Sequence, residues 1–299
     1  MAEFSAGDVV GGAYRLDLLL GEGGMGAVWA ATHLVSGGTA ALKLVKASRH
    51  SAETRRRLLR EARVSTTINH PNIVRVFSVF ELEDGQPVIV MERLVGENLR
   101  QKLDRELSLG VEEAASALLP VISAVGTAHA YGVIHRDLKP ENVFLALERG
   151  MIRSCVLDFG VAKLTASEGI TAASAAITDT GAVVGTPMYM APEQIMGEVV
   201  DHRADIWALG VMLYEALSGG RPIDGEGFGQ IFKNLMTSAI TPLRVIAPEL
   251  PPSLTELVDR MLARDRDDRP LDLRNVYETL EPFAQAPSLR FGGAAPSRS

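Results

Sequence analysis

The sequence predicts an α+β chain in two unequal parts: a small β-rich N-terminal part with one main helix, then a larger, mainly helical part. Short alternating or apolar runs separated by tight turns fill the chain as far as Met91, whereas long helical patterns dominate after Asn98. A glycine-rich stretch, GEGGMGAVW at Gly21–Trp29, lies between two of the predicted strands.

Strands are expected at Tyr14–Leu20, Ala27–His33 and Thr39–Val45, with the SGG turn of Ser36–Gly38 joining the last two. A helix follows over Ala52–Ile68, with Ser51 as its N-cap and leucines and alanines at helical spacing, and HPN at His70–Asn72 ends it. Two further strands, Val74–Glu81 and Pro87–Met91, flank the polar turn EDG. Helices are then expected at about Val111–Ala130, Arg203–Ser218, Phe228–Met236 and Ser253–Ala263. The resulting division is an N-terminal tail (1–13), a first lobe (14–92), a hinge (93–98), a second lobe (99–283) and a tail (284–299). That last stretch is rich in Ala, Pro, Ser and Gly and is expected to be disordered.

With 299 residues, 46% hydrophobic and 22% charged, the chain can bury a substantial core. Its net charge of −7 argues against a bulk basic surface for nucleic acid. The single cysteine, Cys155, rules out an intrachain disulfide and fits a reducing compartment. The N-terminus lacks the basic start and apolar run of a signal peptide. Ala114–Ala130 contains Ser116, Pro120, Ser123 and His129 and reads as a buried helix, too short and too polar to span a bilayer. A cytoplasmic protein without a membrane segment is therefore expected.

Gly21, Gly23 and Gly26, followed by Val28, form the pattern G-x-G-x-x-G-x-V, in which backbone N–H groups can approach phosphate oxygens closely. The same letters serve dinucleotide folds, where they join a strand to a helix, and hairpins that cover a nucleoside triphosphate. Here a strand and a tight hairpin follow, which favours the second.

Farther along stand HRDLKPEN at His135–Asn142, DFG at Asp158–Gly160 and APE at Ala191–Glu193. From about Tyr14 to Glu281 the chain resembles the eukaryotic-type (Hanks-type) serine/threonine protein kinases. The GGMG form of the glycine loop and the PEQ after Ala191 look like the bacterial branch. The resemblance implies the bilobal protein kinase fold and transfer of the γ-phosphate of ATP to serine or threonine hydroxyls of proteins, with magnesium, or manganese in place of magnesium, as the metal.

Residue by residue, it implies the following roles. Asp137 orients the attacking hydroxyl and accepts its proton, and Lys139 offsets charge on the transferred phosphate. Asn142 and Asp158 supply oxygen ligands for the metal. Lys43, ending AALK, contacts the α- and β-phosphates and is held by Glu61 in LREA. The glycine loop, Leu20, Gly21, Glu22, Gly23, Gly24, Met25 and Gly26, covers the phosphates. Val28 and Ala41 cap the adenine, and Met91, Glu92 and Leu94 form the gatekeeper and hinge. Glu193 and Arg269 match a buried ion pair, and Asp205 matches a brace for the catalytic loop.

Arg136 before the catalytic aspartate implies activation by loop phosphorylation, with Thr178 and Thr180 in TDTGAVVGT as the candidate autophosphorylation sites. Thr186 in the GT-x-x-Y lead-in is placed beside Asp137 and Lys139. A homodimer through the N-terminal lobe also belongs to the resemblance. Many bacterial members carry a transmembrane helix and an external sensor after this domain; neither is expected from these residues. Two other functions share the fold. A pseudokinase usually lacks one of the lysine or aspartate positions, and all are present; small-molecule phosphotransferases generally lack the APE region, which is intact here.

Overall fold

A computed structural model describes residues 4–23, 26–45, 59, 68–159 and 187–284. Its N-terminal lobe is a six-stranded antiparallel sheet of β1 (Val9–Val10), β2 (Tyr14–Gly23), β3 (Gly26–His33), β4 (Thr39–Val45), β5 (Val76–Glu81) and β6 (Pro87–Met91), in the order β1-β2-β3-β4-β6-β5. Across it Val28 pairs with Lys43, Lys43 with Ile89, and Ala41 with Met91. Cross-strand partners and residues two apart share a face. Val28, Ala41, Lys43 and Met91 therefore project to one side, while Trp29, Leu42, Leu44, Val88 and Val90 pack a separate apolar layer on the other.

The strands at Thr39–Val45 and Pro87–Met91 agree with the expected bounds, but β2 runs on through Gly23 instead of ending at Leu20. β1 was not foreseen, and the strand expected from Val74 begins at Val76. Most of the helix expected at Ala52–Ile68 lies outside the described residues. Within it, Leu59 is helical and buried, whereas Ile68 is not helical and packs into the core of the second lobe.

The second lobe contains α1 (Leu99–Glu106), α2 (Val111–Ala130), α3 (Pro192–Ile195), α4 (Arg203–Ser218), α5 (Phe228–Thr237), α6 (Leu243–Ile246), α7 (Pro252–Met261) and α8 (Leu273–Leu280). Every residue from Ala204 to Leu217 is buried, so α4 is the central post of the lobe. Gly219, at φ 77°, ends it in the left-handed conformation favoured at helix C-termini. Helix α2 packs against α8, α4 and the lobe's own sheet. It is longer than the apolar stretch singled out in the sequence, and by length and composition it could cross a membrane. Half of its apolar window is buried within the fold, as in a core helix.

Sequence reasoning missed helix α1 and the sheet β7 (Gly96–Asn98), β8 (Val143–Glu148) and β9 (Met151–Val156). A signal was present for the last two. Arg149 and Gly150 both take positive φ, 50° and 81°, the geometry of a tight hairpin turn between VFLALE and MIRSCV.

The HPN segment joins the lobes. The Val156 N–H donates to the Asn72 carbonyl and the Val74 N–H to the Val156 carbonyl, which clips this segment to β9. His70 Nδ1 accepts the Asn72 N–H at 3.1 Å, so its Nε2 carries the proton and faces the Ser123 hydroxyl at 3.2 Å. Burial holds His70 below its usual pKa of 6.5. The unfolded chain therefore takes up this proton first, and stability should fall as pH drops through about 6.5, levelling off below the folded pKa. Calorimetry between pH 7.5 and 5, on the order of ten points, should show a shallower slope for His70→Gln than for the wild type. Parallel slopes would remove His70 from the titration.

Candidate functional site

The loop between α2 and β8 is held from beneath by one buried carboxylate. Asp205, on α4, accepts the backbone N–H groups of His135 and Arg136, each at 2.8 Å, and is 2.8 Å from His129 Nε2. Burial alone would raise the Asp205 pKa. The His129 hydrogen bond and charge, aided by His135, reverse that and keep it below the usual carboxylate value. Gln194 donates to the Arg136 carbonyl at 2.8 Å. Arg136 itself takes φ 66°, a conformation that for a non-glycine residue costs about 1–3 kcal/mol and persists only when its surroundings enforce it.

This strained loop presents Asp137. Lys139 Nζ lies 3.1 and 3.0 Å from its two carboxylate oxygens, and Asn142 Nδ2 donates to its carbonyl at 2.7 Å. His135 couples the loop to Asp158. Its Nδ1 accepts the Asp137 N–H at 3.3 Å, and its Nε2 donates to the Leu157 carbonyl at 2.8 Å. The Leu157 N–H in turn donates to the Asn142 carbonyl at 2.9 Å. The Phe159 ring stacks edge-on against His135 at 4.8 Å.

Asp158 also takes a left-handed backbone, φ 57°, and reaches up to the N-terminal sheet. Its carboxylate lies 2.7 Å from Nζ of the buried Lys43. Burial pushes the Asp158 pKa up, but the Lys43 charge and hydrogen bond outweigh it and hold the group below its ordinary value. Among the described residues, then, the ion-pair partner of Lys43 is Asp158. Glu61, the partner expected from the sequence, lies outside the described residues, as do Gly24, Met25, Thr178, Thr180 and Thr186.

Val28, Ala41, Met91 and Leu94 gather in one small apolar cluster above Asp158, together with Val74 and Leu157, which sequence reasoning missed. Glu92 extends this edge, but its side chain turns away to Arg153 and to the Arg75 N–H. Of the glycines, Gly26 is demanded by the fold: at φ 152° a β-carbon would lie 2.0 Å from the Leu44 carbonyl oxygen. A β-carbon on Gly21 or Gly23 would meet nothing within 4 Å. Leu20, just before Gly21, and Glu22, between the two glycines, lie on β2 and are exposed.

Remote from these groups, Glu193 and Arg269 form a buried bidentate pair at 2.7 and 2.8 Å. Arg269 also donates to the carbonyls of Ala263, Arg203 and Arg264 and lies 5.1 Å over the Trp207 ring. Tyr189, Glu215 and Arg100 make a second interior network, with Arg100 Nη1 at 2.7 Å from Glu215. No spacing in the sequence links those three positions. A cavity of about 850 Å³ lies between α2 and α8 and is lined by His129, His202 and Tyr277, but it contains none of the predicted catalytic or nucleotide-binding residues.

A β-rich lobe set on a helical lobe, with an aspartate loop and a second aspartate meeting a lysine of the upper sheet, defines a protein-kinase-type molecule. The chain belongs to the protein kinase domain family, which it matches over residues 14–278. It is similar to the serine/threonine-protein kinase pkn3 of Myxococcus xanthus, 38% identical over 271 residues, covering 88% of this chain and 48% of that protein. It also resembles the serine/threonine-protein kinase PknA of Mycobacterium tuberculosis, 34% identical over 297 residues, covering 98% and 64%. The chain thus spans about half to two thirds of the length of these relatives. Among solved structures it is similar to the Mycobacterium tuberculosis PknI kinase domain, with 27% identity, a TM-score of 0.71, and coverage of 94% of this chain and 100% of that one.

Proposed function

We propose that the chain is an ATP- and magnesium-dependent protein serine/threonine kinase, activated by phosphorylation of its own loop. The observation that carries this is the convergence of Asp137, Lys139, Asn142 and Asp158 within the second lobe, with Lys43 of the first lobe joined to them through Asp158. Phosphoryl transfer requires positioning and charge neutralisation more than covalent chemistry, and these groups are suited to both. The apolar cluster of Val28, Ala41, Val74, Met91, Leu94 and Leu157 offers a slot for a flat base. The Glu92 N–H is already bonded to the Arg75 carbonyl, which leaves the Glu92 carbonyl and the Leu94 N–H for the adenine edge. Gly21 and Gly23, not demanded by local packing, leave room for phosphate oxygens.

The metal donor set is chemically consistent. No group of three or more His, Cys, Asp or Glu side chains gathers among the described residues, so an all-protein cage is not offered there. Asp158 and Asn142 would provide oxygen donors: the Asn142 amide nitrogen is committed to Asp137, so its side-chain oxygen is the atom that would serve as a ligand. Magnesium, which keeps waters and takes phosphate oxygens, suits such a sparse set; bound, it would neutralise phosphate charge. Asp137 then orients the substrate hydroxyl and takes its proton, while Lys139 steadies the phosphoryl oxygens.

Arg136 supports the loop-phosphorylation part. Its Nε is buried without a hydrogen-bond partner among the described residues, and a phosphothreonine would supply an acceptor. An N-lobe homodimer has exposed apolar side chains to use at Val9, Leu18 and Leu19, and sedimentation of the full chain tests it. Incubation with labelled ATP and magnesium is expected to place phosphate on Thr178 or Thr180. Lys43→Met should lower that incorporation by about 100-fold or more, in line with loss of a charge-stabilising contact. Label found only on small metabolites would point to a small-molecule phosphotransferase, and nucleotide binding without any transfer to a pseudokinase.

A further inference from the structure

We propose that Arg153 and Glu92 form a clasp behind the hinge that sets how tightly nucleotide is held, which makes Arg153 a positioning residue for the phosphoryl donor. This rests on the kinase function proposed above. Arg153 projects from β9, in the sheet of the second lobe. Its Nη1 donates to the Pro71 carbonyl at 2.6 Å, its Nη2 to Glu92 Oε2 at 2.9 Å, and its Nε to Glu148 Oε1 at 2.7 Å. The guanidinium is mostly buried, so these bonds lie where water competes poorly.

The grip on Glu92 is completed from the other side. Its second carboxylate oxygen accepts the Arg75 N–H at 2.8 Å, and its own N–H donates to the Arg75 carbonyl at 2.9 Å. Next to Pro71, Asn72 Nδ2 donates to the Ser154 carbonyl at 2.8 Å. The end of β6, the segment 70–75 and β9 are thereby tied at one point. Glu92 follows Met91 directly and precedes Leu94 by two residues, and both of these line the apolar slot. A turn of the Glu92 peptide therefore moves the gatekeeper side chain and the free hinge backbone groups together.

Preorganising a binding edge raises affinity by removing the ordering cost from the binding step, without touching the chemical step. A clasp at this position should act on nucleotide affinity and leave turnover at saturation nearly alone. Glu148 separates this role from simple scaffolding. It shares the same guanidinium but sits at the half-exposed end of β8, where its side chain pairs with Arg153 and not with Glu92.

The experiment measures, on the full chain, the calorimetric Kd for a non-hydrolysable ATP analogue with magnesium, and KM for ATP and kcat for autophosphorylation. Arg153→Gln and Glu92→Gln should each raise Kd and KM by about 5- to 30-fold, with kcat changed less than about two-fold, as expected for lost preorganisation. The double variant should be no worse than either single, because both remove the same contact. Glu148→Gln should leave Kd unchanged. Arg153→Lys, which keeps the charge but not the fork, should recover part of the affinity. If Arg153→Gln and Glu92→Gln bind like the wild type and lose only thermal stability, the clasp is structural and the proposal falls. It falls equally if Glu148→Gln matches them. Should Arg153→Gln fail to fold, Glu92→Gln alone decides. A wild-type chain that binds no nucleotide would instead overturn the kinase function and the clasp with it.

Discussion

Asp137→Asn is expected to lower phosphoryl transfer by about 10²- to 10⁴-fold, the usual contribution of a positioned general base, while leaving the fold intact. The amide is the same size as the carboxylate and keeps an oxygen for Lys139 and Asn142, so hydroxyl positioning is largely retained and proton acceptance is lost. The Asp137–Lys139 pair is partly exposed, and such pairs contribute only about 0–1 kcal/mol to stability. The midpoint of thermal unfolding should therefore stay within about 4 °C of the wild type, by the usual scaling of about 2–4 °C per kcal/mol. Initial rates at saturating ATP and magnesium, with calorimetry on the same protein, check both halves. Full turnover by the variant would remove Asp137 from the role of base.

The second large effect concerns stability. Arg269→Ala should destabilise the second lobe by about 3–5 kcal/mol, because it strands the Glu193 carboxylate inside the protein. Glu193 is 3% exposed and the Arg269 side chain 0%. The variant also removes the stack over Trp207 and the donors to the carbonyls of Ala263, Arg203 and Arg264. For a domain of this size the unfolding midpoint should drop by about 6–20 °C. Glu193→Ala should cost less, since those carbonyls still partially satisfy Arg269. The double variant Glu193→Leu/Arg269→Met should be more stable than Arg269→Ala, because apolar side chains avoid leaving one charge unpaired. If Arg269→Ala unfolded within a few degrees of the wild type, the pair would not brace the lobe.

How much of this was legible in the chain depended on whether the signal is local. Strands β4 and β6 and helices α2 and α4 were readable because apolar spacing and turn residues are short-range patterns. The β8–β9 hairpin is also a local feature, two short runs paired across Arg149–Gly150, but VFLAL is continuously apolar and lacks the alternation that marks a half-buried strand. Boundaries moved where tertiary contacts decide them. Ile68 leaves the helical pattern to enter the core of the second lobe, and Val74 leaves strand β5 to pair with Val156.

The site divides in the same way. His135–Asn142 and Asp158–Gly160 name the reacting groups because their chemistry lies within a few residues of the backbone. What binds those segments together is set at long range: Asp205 under the loop, His135 bridging to Leu157, and Val74 and Leu157 closing the apolar slot. Lys43 meeting Asp158, and Arg153 reaching Glu92 and Pro71, are pairings between lobes. The sequence by itself determined the two-part α+β design, the family and the identities of the chemical groups, since propensity and motif are properties of neighbouring residues. Only the tertiary structure decided which charges meet across the hinge, because an ion pair depends on burial and on distances of a few ångströms between segments far apart in the chain.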